Sequence, residues 1–382
     1  MTHRSLRTAL LTLAVAGLAA LLGAPPVWAV ETTAREAFLI DATTGRVLLE
    51  KDADVSMPPA SMSKIMTTYM VFERLEDGRL SLDDELLVSE KAWRKGGSKM
   101  YVEVDKMARV EDLLRGVIVQ SGNDACIVLA EGLSGTEEAF AEEMTRKGRE
   151  IGLTGSSFAN STGWPDPNQR MTARDLATLA RRIIADFPDY YHYYAETEFT
   201  YAEIRQTNRN PLLYRSLGAD GLKTGHTEEA GYGLTASAVQ GDRRLILVLN
   251  GLESRKARAE ESARLIGWAF REYGNYTLFK PGETVEEAPV WLGAAPFVPL
   301  VAGAGVTVTL SRKARRDMQV KVVYEGPIPA PIAPGQELAR LVISAPGEDT
   351  VEVPLQAGAA VERLGVFGRA RAALEYLVFG AQ

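Results

Sequence analysis

Apolar positions along the chain follow two different spacings. Between residues 37 and 50 they come as short runs, Ala37-Phe38-Leu39-Ile40 and Val47-Leu48-Leu49, on either side of Thr43-Thr44-Gly45, and this predicts a β-hairpin. Behind Pro58 and Pro59, the residues Ile65, Met66, Tyr69, Met70 and Phe72 recur at helical spacing, which predicts a buried helix starting near Ser61. Residues 111–132 form two apolar helical segments parted by the polar loop Ser121-Gly122-Asn123, with Asp124 placed to cap the second. Helical patterning continues to Phe187 and is broken by Gly163-Trp164-Pro165-Asp166-Pro167. Strand-like runs return at residues 222–225, 233–238 and 244–249. Helices between an opening hairpin and closing strands predict an α+β domain whose single antiparallel sheet is assembled from both ends of the chain.

Beyond residue 274 the pattern changes. Ten of the 18 prolines lie between Asn275 and Val361, among alternating runs such as Val306-Thr307-Val308-Thr309-Leu310, which predicts a small all-β domain. In residues 362–382, Leu364, Phe367, Ala370, Leu374, Leu377 and Val378 recur every three or four positions, while Arg363, Arg369, Arg371 and Glu375 fall largely elsewhere. This predicts a C-terminal amphipathic helix, lying in a membrane interface with its arginines toward anionic lipid or else docked on the β domain. At the other end His3, Arg4 and Arg7 precede an apolar run, a break at Gly23-Ala24-Pro25-Pro26 and Val27-Trp28-Ala29, so residues 1–29 read as a signal peptide, with an uncleaved anchor as the alternative. The expected division is therefore 1–29 signal, 30–274 main domain, 275–361 β domain and 362–382 membrane-associating helix. The protein is expected to be exported.

Composition narrows the chemistry. Hydrophobic residues at 46% and charged residues at 24% are those of a folded chain with a real core, and a net charge of −7 argues against a nucleic-acid partner. Cys126 is the only cysteine, so no intrachain disulfide and no cysteine-based metal site can form. After signal removal only His192 and His226 remain as histidines, which leaves a histidine-rich zinc site or a Ser-His-Asp triad with few candidates. No cofactor or metal is expected, and a hydrolytic base should be some other residue.

Ser61-Met62-Ser63-Lys64 supplies one. A serine and a lysine three apart share a helix face, and a lysine kept neutral by burial or a neighbouring cation can take the serine's proton. The helix N-terminus there favours negative charge on an attacked carbonyl oxygen. Taken alone, the pair reads as a surface helix contact. Its company changes this: Ser121-Gly122-Asn123 follows, then Lys223-Thr224-Gly225 on a predicted strand. Brought into one cleft, Ser121 could relay protons between Lys64, Lys223 and a leaving amine. Asn123 could donate to a substrate amide, Lys223 and Thr224 could hold a carboxylate, and Gly225 could let a substrate backbone lie against the strand. Such a cleft suits acyl transfer from a substrate ending in a carboxylate.

The three motifs in this order resemble the serine penicillin-recognising enzymes. The contexts PPASMSK, VQSGNDAC, TNRNPLL and DGLKTGHTEEAGYGL resemble the exported D-alanyl-D-alanine carboxypeptidases among the low-molecular-mass penicillin-binding proteins, strongly over residues 37–273 and by layout beyond. The resemblance implies a penicillin-binding/β-lactamase-like transpeptidase fold, with Ser61 as nucleophile, Lys64 as its base, Ser121 and Asn123 on the second wall, and Lys223 and Thr224 on the substrate carboxylate. It implies an oxyanion hole from the backbone N–H groups of Ser61 and His226, the latter as a backbone donor rather than a side-chain base. Arg209 is either a further carboxylate contact or a structural ion pair, and Cys126 is expected in the core. The implied reaction trims the terminal D-alanine from peptidoglycan pentapeptide stems, with β-lactams as covalent inhibitors, in the periplasm at the outer face of the cytoplasmic membrane. A D,D-endopeptidase or β-lactamase of the same fold, or a non-catalytic wall-binding protein, are the alternatives. Departures exist: Ser63 replaces a frequent threonine, the 163–175 stretch keeps only Thr-Ala-Arg-Asp of the usual pattern, and no Glu-x-x-Leu-Asn is present, so fast penicillin hydrolysis is not expected.

Overall fold

The computed structural model describes residues 30–371. The expected signal peptide, residues 1–29, and residues 372–382 of the expected amphipathic helix lie outside them. The chain opens with the hairpin β1 (Glu36–Asp41) and β2 (Val47–Lys51), its turn closed by Gly45 at φ 76°. A 3-10 turn at Ala60–Ser63 runs into α1 (Lys64–Glu76). There follow β3 (Glu85–Leu87), α2 (Glu90–Arg94), β4 (Met107–Arg109), α3 (Val110–Ile118), α4 (Asn123–Ser134), α5 (Glu137–Glu150) and α6 (Ala173–Asp186). After a small hairpin, β5 (Glu198–Tyr201) and β6 (Ile204–Thr207), the chain forms β7 (Ala219–Thr227), β8 (Gly231–Gln240) and β9 (Arg243–Leu252), then α7 (Arg255–Glu272).

The five long strands form one antiparallel sheet in the order β2-β1-β9-β8-β7, so the sheet is indeed assembled from both ends. Its alternation divides the core in two. On one face Phe38, Ile40, Ile246 and Val248 pack against α1, α3, α4 and α6. On the other Ala37, Leu39, Leu245, Leu247 and Leu249 meet Leu265, Ile266 and Ala269 of α7. A strand buried on both faces reads as an unbroken apolar run, and residues 245–249 are one. β7 is left at the sheet edge, its outer side facing the turn that carries Ser61.

α7 ends at Glu272 and β10 (Tyr273–Phe279) begins at once. It is followed by β11 (Thr284–Trp291), β12 (Phe297–Val301), β13 (Val306–Ser311), β14 (Gln319–Val323), β15 (Ile328–Pro329), β16 (Glu337–Ser344) and β17 (Val351–Ala357). β10 pairs with β13, and the other six form a second sheet around Val298, Leu300, Leu341, Ile343 and Leu355. The β1–β2 turn fastens the two domains. Asp41 accepts from Arg243 Nε at 2.6 Å and Asn275 Nδ2 at 3.2 Å. Arg46 pairs with Glu348 and Asp349 across the junction. A helix begins at residues 366–371, with Phe367 92% exposed. Among the described residues no helix is long and apolar enough to cross a membrane.

Candidate active site

Ser61 sits on a strained turn. Ala60 adopts φ 47°, a left-handed value that costs a non-glycine residue about 1 kcal/mol. The next residues tighten into the 3-10 turn, where Ser63 Oγ donates to the Ala60 carbonyl at 3.0 Å. Two glycines hold the turn from opposite sides. A Cβ on Gly163, itself at φ 76°, would stand 1.9 Å from the Ala60 oxygen and 2.6 Å from Ser63 Oγ. A Cβ on Gly225 of β7 would stand 2.8 Å from the Pro59 oxygen and 3.1 Å from Met62 Cγ. The face of Gly225 that a side chain would occupy is therefore filled by the protein's own residues 59–62.

Lys64, in the first turn of α1, is fully buried. Its Nζ donates to Ser61 Oγ and to Asn123 Oδ1, both at 2.8 Å, and to the Thr162 carbonyl. Three acceptors thus fix the amine against the nucleophile. Burial foremost, with the nearby cations Arg209 and Lys95 adding to it, lowers the Lys64 pKa to about 8. A substantial neutral fraction at physiological pH follows.

The loop between α3 and α4 brings the second motif to this pair. Ser121, at φ 62° and buried, accepts from Lys223 Nζ at 3.0 Å. No hydrogen bond joins Ser121 to Lys64 among the described residues; Asn123 makes that contact instead. One Asn123 Nδ2 hydrogen goes to the Gly96 carbonyl at 2.9 Å, leaving the other for a ligand. The helix is capped by Gly122, and the Asp124 carboxylate mainly ties down another loop, accepting from Met100 N at 3.0 Å and Tyr101 N at 2.9 Å. Residues 96–102 are thereby pinned along the cleft.

β7 supplies the third motif. Lys223 and Thr224 are buried, and burial, then the charges of Lys64 and Arg209, hold the Lys223 pKa well below its ordinary value. His226 is exposed, its ring tilted against Tyr232 with 3.9 Å between centroids. Arg209 donates to Ser98 Oγ and has no ion pair among the described residues. Cys126 lies in the core, where burial pushes its thiol up to about 12, an inert group.

Thr162 and Gly163 were missed as site residues. The broken pattern at 163–167 marked a loop, but a carbonyl aimed at a lysine and a glycine seated under a backbone oxygen leave no periodicity to read.

Residues 23–253 match the D-alanyl-D-alanine carboxypeptidase family, peptidase S11, and residues 273–363 match the C-terminal domain of penicillin-binding protein 5. The chain is 39% identical over 363 residues to the D-alanyl-D-alanine carboxypeptidase DacC of Escherichia coli, covering 91% of each. It is 36% identical to the DacA of Haemophilus influenzae, covering 89% of this chain and 88% of that one. Among solved structures, penicillin-binding protein 5 from Haemophilus influenzae superposes with a TM-score of 0.80 at 35% identity, over 87% of this chain and 99% of that one. The serine–lysine pair therefore stands in a chain related to these enzymes through both of its domains, and the protein belongs to the peptidase S11 family of D-alanyl-D-alanine carboxypeptidases, a serine hydrolase.

Proposed function

We propose that the protein removes the terminal D-alanine from peptidoglycan pentapeptide stems through an acyl-enzyme on Ser61. The observation that carries this reading is the buried Lys64 amine 2.8 Å from Ser61 Oγ, with its pKa drawn down to about 8. Neutral Lys64 takes the Ser61 proton as Oγ bonds to the carbonyl carbon of the penultimate D-alanine. The oxyanion is received by the backbone N–H groups of Ser61 and His226. The C–N bond then breaks as the proton that Lys64 took passes to the leaving amine, on the side where Ser121 meets Lys223, and Lys64 is neutral again. Lys64 next takes a proton from water as the water oxygen bonds to the ester carbonyl carbon, and hands it to Ser61 Oγ as the C–O bond breaks. Lys223, Thr224 and Arg209 hold the terminal carboxylate, and Asn123 donates its free N–H to the acyl arm.

The same steps open a β-lactam ring, whose amine stays tethered. The Asp124 carboxylate, the acid nearest in sequence to this site, is committed to the 100–102 backbone and to Ala125, so the acyl-penicillin is expected to be long-lived. The test is direct. D-alanine should be released from an acyl-D-Ala-D-Ala peptide, and intact-mass spectrometry should show one penicillin adduct that is absent in Ser61→Ala. A protein giving neither product nor adduct overturns the reading. Cleavage of a cross-linked dimer into its two stem peptides, in preference to release of D-alanine from the free stem, would favour the endopeptidase alternative.

pH dependence follows from the lysine. Only its neutral form accepts the proton, and that form grows as pH rises through its pKa. Acylation at limiting penicillin should therefore climb about tenfold per pH unit below about 8 and flatten above it. A rate that is flat between about pH 6 and 9 would exclude Lys64 as the base.

We also propose export through residues 1–29 and attachment of the β domain to the membrane face through residues 362–382. The support is the sequence pattern of the two termini.

A further inference from the structure

The 95–99 loop runs along the cleft and gives it a direction. At one end Ser98 Oγ receives Arg209, beside the Lys223 end of β7. In the middle, a Cβ on Gly97 would stand 2.8 Å from Asn123 Nδ2 and 3.1 Å from Trp164 Cζ3, so the loop backbone lies flat on both. At the other end Lys95 Nζ sits 4.6 Å from the centroid of the Trp164 ring. Trp164 is 43% exposed, and its neighbour Gly163 is the residue seated under Ala60. A substrate whose carboxylate is held at Lys223 and whose scissile carbonyl lies at Ser61 must send its acyl arm past Asn123, and that path ends on Trp164 and Lys95.

The Lys95 ammonium has no carboxylate partner among the described residues. It is close enough to depress the charge on Lys64, and its stem is half-buried along the indole face. A cation held on an aromatic face at the exit of a cleft is oriented in advance, so it loses little side-chain freedom when an anion arrives. We propose that Lys95 is a specificity residue that recognises a free carboxylate on the side chain of the substrate residue preceding the D-Ala-D-Ala pair. The proposal rests on the carboxypeptidase reading and deepens it: the site takes two anions, one at each end of the cleft.

The experiment compares two peptides that differ only in that residue, a glutamyl and a glutaminyl acyl-D-Ala-D-Ala, by kcat/KM for D-alanine release. The native protein should prefer the acid about three- to fivefold, the worth of one partly exposed ion pair, and the preference should shrink with added salt. Lys95→Gln should bring the ratio to about one, Lys95→Arg should keep it, and Lys95→Glu should invert it. Any change in Lys64 caused by losing a nearby charge affects both peptides alike and cancels in the ratio. Equal turnover by the native protein, or a preference that survives Lys95→Gln, overturns the proposal. No D-alanine from either peptide overturns the carboxypeptidase reading and this one with it.

Discussion

Lys64→Met should lower both penicillin acylation and D-alanine release by about 10³- to 10⁴-fold, the range spanned by loss of a positioned general base from a unit that acts together. Methionine keeps most of the volume in a site with no solvent access, so the loss reports chemistry rather than a collapsed cavity. The substitution also strips a donor from Asn123 Oδ1 and the Thr162 carbonyl, which opposes the relief of no longer burying an amine that must charge below about pH 8. Circular dichroism and a melting curve serve as the fold control. Lys223→Met should behave differently. It removes a charge from the carboxylate end and leaves the proton acceptor in place, so a loss of about ten- to a hundredfold is expected, chiefly in KM for the peptide. Acylation of Lys64→Met at the native rate would require another base, and among the described residues the only other amine hydrogen-bonded to a motif serine is Lys223 on Ser121.

What the sequence made legible is what repeats locally. The hairpin, the helix behind Ser61 and the three closing strands all emerge from alternation or helical spacing, because each element buries one face and the face is written in consecutive residues. The strands came out longer in the structure: β7 spans Ala219–Thr227 where four residues read as strand, since Asp220 and Gly221 ahead of the motif carry no apolar signal. The three motifs also met as expected, yet the wiring between them did not follow from their spacing. Ser121 is expected between two lysines, yet among the described residues its hydroxyl is hydrogen-bonded to Lys223 and not to Lys64, and the lysine beside the nucleophile turns to Asn123. The Asp124 carboxylate accepts from Ala125 N in the first turn of its own helix, and it also pins the loop 100–102, which the cap position does not foretell. The partners that spacing misses, the Asn123 amide and the 100–102 backbone, are brought near by tertiary packing, and no sequence period encodes that meeting.

Gly163→Ala carries the sharpest form of this lesson, because the residue reads as loop punctuation and sits under the nucleophile's turn. Two independent penalties fall on the added methyl group. Its backbone is at φ 76°, where an L residue is strained by about 1 kcal/mol, and its Cβ would lie 1.9 Å from the Ala60 carbonyl oxygen and 2.5 Å from its carbon. A contact that short cannot be met by a rotamer change, since the obstructing atoms are backbone. Either residues 162–164 lift away or the Ala60–Ser63 turn moves. The first withdraws the Thr162 carbonyl from Lys64, and the second displaces Ser61 Oγ from the Lys64 amine. We expect a stability loss of about 3 kcal/mol and, in the protein that remains folded at low temperature, an acylation rate lowered by about 10²-fold, the scale of a displacement near 1 Å at a reacting atom. Gly135→Ala is the matched control: it also has a positive φ, 79°, but no atom lies within 4 Å of its Cβ, so it should show the backbone strain without the catalytic loss. Melting curves and stopped-flow acylation on both variants separate the two terms. Equal acylation rates in Gly163→Ala and Gly135→Ala would show that the nucleophile's position does not depend on the 162–164 segment, and the account of how this turn is held would have to be rebuilt around Gly225 alone.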